Sequence, residues 1–390
     1  MQKKIVRGII SIISIIVLAF IGIWGLLMVL FSIDRPLYTI LILSAFFLSI
    51  ILLGVWTFKV IKSKTLLYSF LSIILFSTLI VVGKGLYNNY INSIPTVDEQ
   101  SLYLTEYEPF ADSTKAIFLP QESTLRLQDN LPKINGATAL YPLYAAFVQA
   151  TYPKDDYPLF GSIIKGNTTP EAFNDLIAGE VDVIFCATPS KSQVEQAKKY
   201  GIEFRLTPIG REAFVFFVNK KNSINNLSLS QIQDIYSGEI INWKEVGGKN
   251  QEIKAFQRPQ NSGSQTMLEK IMEDRPLMAA PVENQVEGMG GIIEQTATYR
   301  NFDNAIGYSF LFFVTGMVKN DNIKLLKING IEPNKTTIES YEYPFVGDFY
   351  AITTNKLTNT NVEELINWIL SPQGQYLVEK TGYISIKNNI

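Results

Sequence analysis

The sequence predicts a chain in two parts: three transmembrane α-helices within residues 1–91, then an α/β domain of two lobes over residues 131–390. Three observations predict it. The apolar stretches 5–31, 37–61 and 65–87 each exceed the roughly 20 helical residues that a hydrocarbon core requires. Beyond them, strand-like runs alternate with helical patterns, which argues for α/β architecture with largely parallel strands. One nearly continuous apolar run, residues 213–219, is followed by the polar stretch 220–226, as a crossover between two lobes would be.

The charges around the apolar stretches orient them. Lys3, Lys4 and Arg7 precede the first, Lys59, Lys62 and Lys64 separate the second from the third, and Asp34 and Arg35 balance in the turn between the first two. The positive-inside rule then places the N-terminus in the cytoplasm. Three spans carry the C-terminal domain to the outside of the cell membrane, as a multi-pass protein. The first stretch exceeds the roughly 7 to 15 apolar residues of a cleaved signal peptide and no small-residue cleavage site or lipid-bearing Cys follows it, so it is expected to remain. No buried acid and base pair marks a transport path in the helices, and they are expected to anchor the chain in the lipid bilayer.

Composition removes several chemistries. His is absent and Cys186 is the single Cys, which excludes His-dependent triads, His-ligated metals, Cys clusters and an internal disulfide. Cys186 sits in the apolar run 181–187, which reads as a buried strand. No Ser-Lys or carboxylate pair is marked out by motif, so no enzyme, metal or cofactor is expected. Of 34 basic residues 8 precede residue 96, against one of 36 acidic residues, leaving the remainder 26 basic and 35 acidic, a net charge of −9. Such a field disfavours nucleic acid, and any anion site must depend on local donors.

The elements follow in order. Residues 92–130, with Pro95, Pro109 and Pro120, read as an extracytoplasmic linker. Helices are expected over 139–152, 170–178 and 192–200, and strands over 162–165, 181–187 and 213–219. Ser228 is a candidate N-cap for the next helix. Lobe 2 is expected over about 227–305, through a turn at Gly288-Met289-Gly290-Gly291, with lobe 1 formed by about 131–219 and 306–390. An amphipathic helix over 362–370 closes the chain.

Three turns carry candidate binding residues. In Asn135-Gly136-Ala137-Thr138-Ala139-Leu140 a helix begins, with Thr138 as an N-cap, and a helix start offers free N–H groups and the positive end of the dipole. Gly166-Asn167-Thr168-Thr169-Pro170-Glu171 opens a second helix, with two hydroxyls at its start and Pro170 suited to the first turn. Arg258-Pro259-Gln260-Asn261-Ser262-Gly263-Ser264 combines a guanidinium, able to grip an oxyanion with two N–H groups, with a third helix start at Ser262, Gly263 and Ser264.

In this order and spacing the three turns resemble the phosphate-binding proteins of ABC importers, which have the class II periplasmic-binding-protein fold. The resemblance runs over most of residues 131–386. It implies a small inorganic anion, phosphate, held between two lobes by Thr138, Ala139, Thr168, Thr169, Arg258, Ser262, Gly263 and Ser264, and delivered to a permease and ATPase encoded separately. Ser264 stands where the family has Thr, and one further departure matters. Where the family has an Asp that accepts the proton of phosphate, this chain has Ala187, which can accept nothing. Thr188, Arg211 and Glu212 are the nearby candidates to compensate. The rival reading is an anion-sensing or scaffold module that signals through its helices without transport.

Overall fold

A computed structural model describes residues 2–29, 35–58, 61–92, 104–279, 303–318 and 321–386. It divides into two units, Met1–Thr96 and Val97–Ile390. The expected turn at residues 288–291 lies outside the described residues.

The first unit is α1 (Gln2–Val29), α2 (Arg35–Thr57) and α3 (Ser63–Asn92). Apolar side chains such as Phe20, Ile40 and Phe76 stand exposed along them, as they would against lipid. The Ser11 and Thr57 hydroxyls bond to each other and tie α1 to α2. Trp56 Nε1 donates to Ser63 Oγ at 3.0 Å, across the turn into α3. Two helices, over Thr39–Thr57 and Ser63–Lys84, are long and apolar enough to cross a membrane; in α1 the described apolar stretch is Gly8–Trp24, which falls short.

The second unit is built on a mixed sheet. Its strands are β1 (Ile134–Gly136), β2 (Val183–Cys186), β3 (Phe204–Asn219), β5 (Lys254–Ala255), β6 (Ala305–Phe310), β7 (Ile323–Leu325) and β9 (Val346–Thr354), in the order β1-β2-β9-β3-β6-β5 with β7 also on β3. Short β4 (Asn226–Leu227) and β8 (Lys327–Ile328) pair apart from it. Only β1 with β2 and β5 with β6 run parallel in the large sheet, so the expectation of largely parallel strands is corrected. The reason is β3, a 16-residue strand with antiparallel partners throughout. Its first part pairs with β9 through Ala213, and from Phe214 to Val218 it pairs with β6.

That switch of partner marks the passage between lobes. On one side α4 (Tyr141–Thr151), α5 (Thr169–Ala178), α6 (Lys191–Lys199), α10 (Asn361–Ile369) and α11 (Pro372–Thr381) cover β1, β2 and β9. On the other, α7 (Leu229–Ser237), α8 (Gly263–Met272) and the short α9 (Lys335–Glu339) accompany β5 and β6. The chain was expected to rejoin the first lobe over 306–318. Instead β6 pairs with β5 and the second half of β3, and a strand next joins the first-lobe side at β9. An apolar run announces a strand without naming its partner, because pairing is non-local.

The segment read as linker also differs. From Leu104 on it is folded against the domain, with Leu104, Ala116 and Leu127 buried. The Leu127 amide donates to the Thr151 carbonyl at 2.8 Å, and Thr124 Oγ1 to Gln373 Oε1 at 2.9 Å. Three well-spaced apolar side chains suffice to dock a segment whose average composition is polar. Residues 162–165, expected as a strand, form a single bridge between Ile164 and Ile134.

Candidate anion site between the lobes

Each candidate turn is fixed by its own local bonding before any ligand is considered. Asn135, fully buried, joins the first two: its Oδ1 accepts from the Gly136 and Asn167 amides at 2.8 and 3.2 Å, and its Nδ2 donates to Asp175 Oδ2 at 3.0 Å. Thr138 Oγ1 donates to the Asn167 carbonyl at 3.3 Å. Thr168 caps α5; its Oγ1 and N–H both donate to Glu171 Oε2, at 2.8 and 3.0 Å. This reciprocal cap engages the Thr168 hydroxyl. Thr169, the next residue, is buried beside it and lines the cleft.

The opposite wall is assembled differently. The Arg258 amide donates to Gln265 Oε1 at 3.0 Å and to the Tyr308 hydroxyl at 2.9 Å, which pins the backbone where β5 ends. Ser262 caps α8, accepting from the Gln265 amide at 3.2 Å. Arg258 Nε and Nη1 and Ser264 Oγ, all buried, have no hydrogen-bond partner among the described residues. Burial lowers the Arg258 guanidinium to about 10, opposed by the neighbouring Tyr308 phenol, so it stays charged at neutral pH. A buried cation with unmet donors carries a desolvation cost that an anion would relieve.

The walls meet. A Cβ placed on Gly263 would lie 3.2 Å from Thr169 Oγ1, so the second and third turns approach across the cleft. Ser190 Oγ and Ser192 Oγ donate to Asn261 Oδ1 at 2.9 and 2.6 Å, and Gln193 Nε2 to the Asn261 carbonyl at 3.3 Å. Asn261 holds a left-handed backbone at φ +68°, which Asn tolerates better than most residues. Sequence reasoning gave Asn135, Asn261, Ser190 and Ser192 no role; the Asn in a tight turn was the available signal for Asn261.

The enclosed space is about 990 Å³. Thr138, Ala139, Thr168, Thr169, Thr188, Glu212, Arg258, Ser262, Gly263 and Ser264 all line it, as does Ala187. Arg211 does not. It pairs with Asp348 at 2.9 Å and lies 4.2 Å from the centre of the Tyr341 ring, and both of those partners line the space. Glu212, the next residue on the strand, does line the space. That side chain is buried, and its Oε1 accepts from the Phe312 amide at 2.6 Å. Burial pushes its carboxyl up to about 8, and the bond from Phe312 works the other way. Cys186 lies buried in β2, with its thiol pushed up to about 12 by burial. Among the described residues no cluster of His, Cys, Asp or Glu is arranged to hold a metal.

Two lobes joined by one shared strand, with helix starts, hydroxyls and an arginine converging between them, define a binding domain for a small anion. The chain belongs to the PBP superfamily, whose domain model matches residues 124–373. Phosphate-binding protein PstS of Borreliella burgdorferi is 27% identical over 205 residues, 51% of this chain and 70% of that protein. The PstS of Bacillus subtilis is 24% identical over 257 residues, 65% of this chain and 80% of that protein. A Clostridium perfringens crystal structure, described as a phosphate ABC transporter substrate-binding protein with bound phosphate, matches with a TM-score of 0.52 at 23% identity. That match covers 65% of this chain and 98% of the other and bears out the two-lobed fold.

Proposed function

We propose that the protein captures a small tetrahedral oxyanion, phosphate first, between its two lobes outside the membrane, for delivery to an ABC-type importer made of other chains. The observation that carries this reading is Arg258, whose Nε and Nη1 are buried at the cleft without partners among the described residues. Charge-assisted bonds to an oxyanion would satisfy both, while the amides at the starts of α5 and α8 and the Thr169 and Ser264 hydroxyls replace the anion's water. The relatives named for phosphate binding support the choice of anion. The act is capture by closure and involves no bond making.

The test is calorimetric titration of the full chain in detergent with phosphate, on wild type and Arg258→Ala. Binding that weakens roughly a hundredfold or more in the variant is expected; equal affinity in both would remove Arg258 from the site, and no binding in wild type would overturn the reading.

In this reading α1, α2 and α3 all cross the membrane, with the N-terminus inside. The 28 residues of α1 are long enough once its ends are counted with the apolar stretch 8–24. Lobe 1 comprises about residues 104–213 and 346–386, and lobe 2 about 214–345. Labelling of single cysteines placed at residues 33, 61 and 120 by an impermeant reagent should mark 33 and 120 from outside and leave 61 protected; labelling of 61 would refute three spans.

A further inference from the structure

Glu212 is a buried carboxyl in the wall of the cleft, with one of its two oxygens bonded within the protein. Its Oε1 accepts from the Phe312 amide, and among the described residues its Oε2 has no donor. The groups around it are known from each packed element. Tyr383, after α11, is the titratable neighbour, and its hydroxyl donates to the Ala139 carbonyl. On β9 the register partner is Gly347, and the next position carries Asp348, already paired with Arg211. From β6 and its continuation the contact is the Phe312 backbone. Arg258 and Glu269 line the same cavity without bonding to it. Among the described residues no cation pairs with the carboxyl, and burial pushes it up to about 8, so that near neutral pH it carries its proton.

We propose that Glu212 determines which form of the oxyanion the cleft retains: protonated, it donates through Oε2 to an anion that has no proton of its own, and ionised, it accepts only an anion that brings one. This rests on the oxyanion reading above. Sulfate and hydrogen phosphate separate the two states, since they match in shape and charge and differ in the proton. Ala187, the residue at the end of β2 in the same cleft, has no side-chain acceptor, which leaves Glu212 to supply it. The cleft would accept sulfate in mildly acidic conditions and become selective for phosphate as the pH rises.

The experiment titrates the full chain in detergent with sulfate and with phosphate at pH 6 and pH 9, and measures proton uptake by repeating each titration in two buffers of different ionisation enthalpy. Between the two pH values sulfate affinity should fall about tenfold with uptake of about one proton per sulfate at the higher pH, whereas phosphate affinity, referred to the concentration of the hydrogen phosphate dianion at each pH, should change less than about threefold. Any weakening of Arg258 at pH 9 acts on both anions and cancels in the ratio. In Glu212→Gln, whose amide keeps the oxygen for Phe312, sulfate affinity should lose its pH dependence. A sulfate affinity that is flat in wild type, or that still falls with pH in Glu212→Gln, would overturn the proposal. Failure to bind either anion at either pH would overturn the oxyanion reading and the proposal with it, and the wild-type proton count decides the matter even if the variant does not fold.

Discussion

The two walls of the cleft look alike in sequence and differ in what their polar groups are doing. On the first, Thr168 is closed into a reciprocal cap with Glu171, and Thr138 Oγ1 bonds to the Asn167 carbonyl. On the second, Arg258 and Ser264 keep buried donors that none of the described residues meets. The first wall is therefore built for stability and positions its amides, while the second is held ready at a cost in stability. Binding free energy should come chiefly from the second, because only there does a ligand satisfy groups that are otherwise desolvated and unpaired.

The widest separation between the walls is expected for Arg258→Met, which keeps volume and removes the charge. Phosphate binding should drop roughly a hundredfold or more while the ligand-free fold becomes more stable by about 1 kcal/mol or more, read by denaturant titration. A variant that loses both binding and stability would show that Arg258 is structural and erase the contrast. Ser264→Ala should cost about tenfold in affinity and leave the ligand-free fold slightly more stable. At the small end, Thr168→Ala should destabilise the fold by about 1 kcal/mol and shift affinity by less than about twofold. An affinity loss at Thr168 equal to that at Ser264 would make the walls equivalent.

How much of this was legible beforehand follows the range of the interactions. The three turns are local motifs, a few hydroxyls and a glycine ahead of a helix, and each could be read within ten residues. Thr168 and Thr169 could not be told apart, because the choice rests on where Glu171 folds back. The bonds from Ser190 and Ser192 to Asn261 join positions some seventy residues apart, and nothing near either end announces them. Arg211 and Glu212 illustrate a different limit. Alternation along a strand says that they part company, but which one lines the cleft depends on the elements packed around β3. The return point of the chain to the first lobe and the docking of residues 104–130 were hidden for the same reason, since both depend on partners far away in sequence.

Strand β3 has a consequence for how the protein must be made. Its two ends belong to different lobes, and the residues on which both depend, β6 at 305–310 and β9 at 346–354, come much later in the chain. Until they are synthesised, the run Ala213 to Val218, fully buried in the finished fold, has no antiparallel partners. It is apolar, uncharged and free of proline, the composition from which intermolecular β-structure grows. A fragment ending before β9 would hold a bare sheet edge, so the two lobes cannot be produced as independent pieces by cutting at their boundary, and the domain's solubility rests on its last strand arriving.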